Sequence, residues 1–120
     1  VTYAAAVHDA LEAAELLDDQ DGISVDVLDL RTLLPLDEEA IVASVKKTNR
    51  LLVVHEDTRT GGIAGEFAMR VKEKAFAWLD APILRVTAID APVPYSPPLE
   101  DYFLPQVEDI VKAARWVVEY

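Results

Sequence analysis

"LLVVHEDTRTGGIAGEF", Leu51 to Phe67, decides the fold. Leu51 to Val54 is a continuous apolar run, which suits a strand covered on both faces. His55, Glu56 and Asp57 turn the chain polar at its end. Gly61, Gly62 and Gly65 then lead into a helix predicted over residues 62–79, where Ile63, Phe67, Val71 and Ala75 recur every fourth residue. A buried strand, a glycine cluster and a helix start form one half of an α/β unit. The same layout is also used to hold phosphate at a helix N-terminus.

Outward from this stretch, strand and helix patterns alternate. Val1 to Tyr3 reads as the end of a strand. Val7, Leu11, Ala14 and Leu17 carry a helical stripe through residues 4–17, and Asp18 to Gly22 closes that helix. Ile23 to Leu30 is β-branched and partly alternating, as a strand should be. Asp37 is placed to cap a helix whose first turn holds Glu38 and Glu39, favoured by the helix dipole. Ile41, Val42 and Val45 form its buried stripe, and Asn49 is suited to the left-handed closing position. After Pro82, Ile83 to Ala88 is a further strand. "DAPVPYSPPLEDYF", Asp90 to Phe103, holds four prolines and is expected to be an extended arm rather than helix or central strand. Its predicted apolar anchors are Val93, Tyr95, Leu99, Tyr102 and Phe103. Pro105 suits a first helical turn, and Val107, Ile110, Val111, Ala114, Val117 and Val118 make a last amphipathic helix. Such alternation predicts a largely parallel sheet with helices on both faces.

Composition narrows the function. A length of 120 residues suggests one domain, and 52% apolar residues exclude a disordered chain. No apolar run is long enough to span a bilayer, and no signal-peptide pattern is visible. Asp and Glu number 22 against 11 Lys and Arg, a formal net charge of −11. A phosphate backbone would be repelled, so nucleic-acid binding is not expected. The acidic surface favours solubility, or a basic partner. Cysteine is absent, which excludes disulfides, thiolate catalysis and cysteine-ligated zinc.

The glycine stretch does not match a phosphate cradle. A P-loop needs Lys and Ser or Thr directly after its last glycine, whereas Gly65 precedes Glu66 and Phe67. Gly61, Gly62 and Gly65 also miss the dinucleotide spacing, and Glu66 has the wrong charge for a phosphate. Close packing of helix on strand, with Gly61 or Gly62 at positive φ, explains the glycines better. His55 lacks the second histidine of a zinc-protease motif, since Arg59 stands four residues on. A histidine at that place is a packing residue or one that faces a partner subunit. Asp57 suggests a phosphoacceptor, but the first and last strands lack the companion acids and lysine of such a site. A stand-alone α/β binding or phosphoacceptor domain therefore stays open as an alternative.

"VDVLDLRTLLPLDEEAIVASVKKTNRLLVVHEDTRTGGIAGEFAMRVKEKAF" and "LDAPILRVTAIDAPVPYSPPLEDYFLPQVEDIVKAA" together resemble one family. They are similar to the C-terminal domain of the beta subunit of thiamine-diphosphate-dependent 2-oxo acid dehydrogenases, of the branched-chain or pyruvate type. The domain type is the transketolase C-terminal domain. "DLRTLLPLD", "VVHED…TGG", "LDAP" before "D-x-P-x-P-Y", and "LP" ahead of the last helix carry the likeness in the family's order.

The resemblance implies a three-layer α/β/α sandwich with a mostly parallel five-stranded sheet and one antiparallel edge strand. It implies a single domain over residues 1–120, with the family's N-terminal pyrimidine-binding domain outside this chain. Catalytic, thiamine diphosphate and magnesium sites would then lie in that domain and the alpha subunit, so this domain is expected to bind no cofactor and no metal. Its expected partners are the alpha subunit and a second beta subunit in a heterotetramer, and the subunit-binding domain of the acyltransferase core. The docking candidates are Asp80, Glu119 and the carboxylate of Tyr120; His55, Glu56 and Asp57 are read as a turn facing another subunit. The resemblance places the parent enzyme in the bacterial cytoplasm or the mitochondrial matrix.

Overall fold

The computed structural model describes residues 1–120. Five α-helices and two strands follow in the order α1 (Ala6–Asp21), α2 (Glu38–Thr48), β1 (Leu52–Thr58), α3 (Ala64–Ala75), β2 (Leu84–Ala88), α4 (Pro97–Phe103) and α5 (Val107–Glu119). A 3₁₀ turn, Phe76–Trp78, extends α3. No helix is long and apolar enough to cross a membrane.

The three layers are present. On one face of β1, Ile41 and Val45 of α2 and Phe67, Val71 and Ala75 of α3 pack with Val53 and Leu51. On the other face, Ala6, Ala13 and Leu17 of α1 and Ile110 and Val111 of α5 pack with Val54. Successive strand residues point to opposite faces, so Val53 and Val54 anchor the two cores. That is why this run is apolar without interruption.

The sheet is smaller than expected. β1 and β2 pair in parallel, Leu52 with Leu84 and Val54 with Val86, with an irregularity between Val54 and Thr58. Residues 1–3 and 23–30 do not form regular strands and join only through isolated parallel bridges, Thr2 to Asp29 and Thr2 to Val54. The spatial order is thus residues 28–30, residues 1–3, β1, β2. No antiparallel edge strand pairs here, and the five-stranded sheet is corrected to two strands plus two bridged segments. Residues 23–27 have a strand-like sequence but no backbone neighbour beside them to complete a ladder.

The caps of α2 follow the sequence, whereas α1 runs on through Asp18–Asp21 past its predicted end, and α3 spans Ala64–Ala75 rather than residues 62–79. The Asp37 carboxylate accepts the Ala40 N–H at 3.1 Å, and Asn49 closes α2 at φ 61°. Gly22 closes α1 at φ 65°. The buried stripe of α1 is shifted from the predicted one: Ala6, Ala10, Ala13 and Leu17 are buried, whereas Leu11 is exposed. Small alanines on that stripe let α1 lie close to α5.

The proline arm holds the largest correction. Residues 97–103 are helical, with Pro97 and Pro98 in the first turn, where a missing N–H costs nothing. Of the predicted anchors only Phe103 is buried; Val93, Tyr95, Leu99 and Tyr102 are exposed, Tyr95 completely. Pro105 lies just outside α5 rather than in its first turn. There Gln106 N–H donates to the Asp109 carboxylate at 2.9 Å, one arm of a capping box.

Candidate functional site

The glycine stretch is built for packing. Gly61 has φ 79°, a conformation that favours glycine. A Cβ on Gly62 would collide with the Thr58 carbonyl oxygen and come within 2.7 Å of His55 Cε1. Gly62 is therefore the contact that lets the start of α3 rest on β1. Gly65 differs: nothing lies within 4 Å of a Cβ built there, so it is not a packing position. The N–H groups of Gly65, Glu66 and Phe67 are turned onto the carbonyls of Gly62 and Ile63. Glu66 pairs with Arg70 at 2.8 Å. The engaged Gly65, Glu66 and Phe67 N–H groups and the anionic Glu66 make this turn a poor fit for a diphosphate.

His55, Glu56 and Asp57 lie within β1, not in a turn as expected, because pairing with β2 resumes at Thr58. Glu56 and Asp57 are exposed, whereas His55 is completely buried. Its two ring nitrogens and the Thr2 hydroxyl have no hydrogen-bond partner. Burial holds the His55 imidazole below its ordinary pKa, opposed in part by neighbouring Asp57. Tyr3 lies beside it, ring centroids 6.2 Å apart. Burial, reinforced by the charges of Asp57 and Glu56, raises the Tyr3 phenol. This histidine is an uncharged packing residue of the domain interior.

The loop after β1 is held by Asp90, which sequence reading missed. Its carboxylate accepts the Thr60 N–H at 2.8 Å and the Thr60 hydroxyl at 2.6 Å. Those hydrogen bonds lower its pKa. A lone Asp past a strand, opposite a Thr past the neighbouring strand, is the only sequence signal for the pair.

The structure brings two of the docking candidates together. Asp80 and Tyr120 line one shallow depression, with Met69, Phe76 and Pro82 beside them and Lys72 at the edge. Met69, Phe76 and Tyr120 are exposed, Phe76 by 66% and Tyr120 by 69%. The Asp80 carboxylate makes no ion pair within the chain. Its backbone is fixed by α2: Asp80 N–H donates to the Asn49 carbonyl at 2.9 Å, and Asn49 Nδ2 donates to the Trp78 carbonyl at 2.8 Å. Lys46 sits over the Trp78 ring, 4.4 Å from its centroid. The Trp116 and Tyr120 rings meet at a tilt of 44°, centroids 5.3 Å apart. Glu119 is exposed at the end of α5 and does not line the depression. The result is a rigid, partly apolar surface carrying a free carboxylate. Met69, on the outward face of α3, and Phe76, in the 3₁₀ turn, were missed because no spacing shows that the end of α5 lies beside them.

Comparison with known proteins covers nearly the whole chain. The family model described as "Transketolase, C-terminal domain" matches residues 1–110. The Saccharomyces cerevisiae protein "Pyruvate dehydrogenase E1 component subunit beta, mitochondrial" is 46% identical over 119 residues, covering 98% of this chain and 32% of the relative. The Bacillus subtilis "2-oxoisovalerate dehydrogenase subunit beta" is 45% identical over 121 residues, covering 100% of this chain and 37% of the relative. The B. subtilis "Acetoin:2,6-dichlorophenolindophenol oxidoreductase subunit beta" is 50% identical over 105 residues, covering 88% and 30%. The chain thus spans about a third of the length of these relatives. Among solved structures, "Split gene transketolase, inactive beta4 tetramer" superposes with a TM-score of 0.82 at 24% identity, covering 98% of this chain and 37% of that one. That likeness concerns the fold.

Proposed function

The chain belongs to the transketolase C-terminal domain family, and from that membership we propose that it is the assembly and docking domain of the beta subunit of a 2-oxo acid dehydrogenase. The parent enzyme would decarboxylate pyruvate or a branched-chain 2-oxo acid and pass the acyl group to a lipoyl arm. Thiamine diphosphate and magnesium would act elsewhere in that enzyme, held by its other domain and the alpha subunit, and this domain itself would catalyse nothing. The relatives include mitochondrial and bacterial proteins, so the compartment would follow the source.

One observation carries the docking part of the reading. Asp80 and Tyr120, far apart in sequence, line a single depression together with exposed Met69 and Phe76. A mostly apolar depression with an unpaired carboxylate suits a small basic domain, and the net charge of −11 would steer such a partner in. The partner proposed is the subunit-binding domain of the acyltransferase core. Asp80 would meet its arginine and lysine side chains, with Tyr120 beside it and Glu119 adding charge nearby. A second surface supports assembly with the alpha subunit and another beta subunit. Glu56 and Asp57 are exposed at the end of β1, with His55 behind them, and the arm presents bare Val93, Tyr95, Leu99 and Tyr102. Exposed apolar groups of this kind suit burial against other subunits.

The test is calorimetric titration of the chain with a basic subunit-binding domain. Asp80→Lys is expected to weaken binding about ten-fold or more and to flatten its salt dependence. Unchanged binding would sink the assignment of Asp80.

A further inference from the structure

The depression that holds Asp80 carries two charged side chains, and they are of opposite sign. One wall is the outward ridge of α3 and its 3₁₀ extension, where Gly65, Met69, Lys72 and Phe76 follow one another at helical spacing. The other runs through the turn from Leu79 to Ile83. Of all the side chains that line it, only Lys72 and Asp80 are charged. Both are exposed. They form no ion pair with each other or with any other side chain.

The isolation of Lys72 follows from its helix. Neighbours on a helix surface lie three and four residues away. Those of Lys72 are Ala68, Met69, Ala75 and Phe76, none of them acidic. The other two basic side chains of α3 are both engaged: Arg70 pairs with Glu66 at 2.8 Å and Lys74 with Glu38 at 2.7 Å. Lys72 is the one left to line the depression with a free ammonium. A cation seated over it would be repelled, although the net charge of −11 draws cations to the chain as a whole.

We propose that the depression reads a bipolar face on its partner: a cation set against Asp80, a carboxylate set against Lys72, and an apolar side chain against Met69 and Phe76. The inference rests on the docking role proposed above and narrows it: the partner is basic overall but presents an acid at one place. Two opposite charges fix orientation as well as identity, because turning the partner round would set like charges together. Both charges stand on firm backbone. Asp80 N–H donates to the Asn49 carbonyl, and Lys72 lies well inside α3. Lys72 is thus a specificity-determining residue: it rejects a uniformly basic surface that Asp80 alone would accept.

Calorimetric titration with the basic subunit-binding domain of an acyltransferase tests the sign of the Lys72 contribution. Lys72→Gln is expected to weaken binding about two- to five-fold, the range for an exposed ion pair. Lys72→Glu should weaken it about ten-fold or more, while Lys72→Arg stays within about two-fold of the native chain. Lys112→Glu makes the same change in net charge on α5, outside the depression, and is expected to leave binding unchanged or slightly tighter. Attraction by net charge alone predicts the opposite sign at Lys72, with both glutamate variants binding more tightly. Tighter or unchanged binding with Lys72→Gln or Lys72→Glu would therefore overturn the proposal. So would equal effects of Lys72→Glu and Lys112→Glu, or a Lys72→Arg chain that binds no better than Lys72→Gln. Asp80→Lys separates this result from the docking reading. If Asp80→Lys weakens binding and the Lys72 variants do not, the bipolar face falls and the docking role stands. If the native chain does not bind, or binds regardless of Asp80, both fall.

Discussion

Replacing His55 by leucine separates a buried titration from everything else in the domain. The imidazole is fully buried, neither nitrogen is hydrogen-bonded, and burial holds its pKa below the ordinary value of 6.5. In the unfolded chain the ring is hydrated and titrates near that value. As pH falls through 6.5, the unfolded chain takes up a proton that the folded chain refuses. The stability from this group is therefore complete above about pH 6.5 and is lost as pH falls toward the lower, folded pKa. Between those limits one proton gives a slope of at most about 1.4 kcal/mol per pH unit. For a domain of this size that is a Tm change of about 4–6 °C per unit. His55→Leu keeps an apolar side chain of similar bulk against Gly62 and Tyr3 and removes the proton site. Urea unfolding at pH 7.5, 6.5 and 5.5 measures both proteins. His8 is exposed and common to both, so it cancels in the difference. The native chain should lose stability relative to the variant across this range. Parallel pH dependences would refute the reasoning and would mean that His55 is hydrated or partnered in solution.

Gly62→Ala should cost about 1–3 kcal/mol in urea unfolding, because the new methyl group meets a fixed carbonyl and a buried ring. Gly65→Ala, three residues further on, should stabilise by up to about 1 kcal/mol, since it adds helix propensity in open space. Opposite signs at these two glycines would be seen in one pair of denaturation curves. Asp90→Asn should speed exchange of the Thr60 amide. Because the folded pKa of Asp90 is lowered by its bonds to Thr60, its contribution is present above the ordinary carboxylate value. It is lost as pH falls through the folded pKa, so the acid limb of the native stability profile should be steeper than that of the variant.

Local chemistry was readable and long-range chemistry was not. The cap at Asp37, the left-handed Asn49 and the Phe67–Val71–Ala75 stripe could be read because each depends on neighbours within a turn or two. Both faces of β1 could be read from its uninterrupted apolar run. The helix Pro97–Phe103 was hidden because two prolines count as breakers everywhere except a first turn. Residues 23–30 have the alternation of a strand, but a strand needs a partner, and here only Thr2 supplies one. The depression joining Asp80 to Tyr120 depends on how the end of α5 meets the α3–β2 turn, which no spacing encodes. Asp90 and Thr60 meet only once β1 and β2 lie side by side. Exposure of the arm's Tyr95 and Leu99 likewise follows from what does not pack on them, which is not written in the pattern of apolar residues.

The most direct test of the proposed role is a single thermal-shift series on this chain. It uses three additions: a basic subunit-binding domain of an acyltransferase, thiamine diphosphate with magnesium, and acetyl phosphate. An assembly and docking domain should show a saturable rise in Tm with the first and none with the other two. A saturable rise with thiamine diphosphate and magnesium or with acetyl phosphate, or no response to the binding domain, would contradict it.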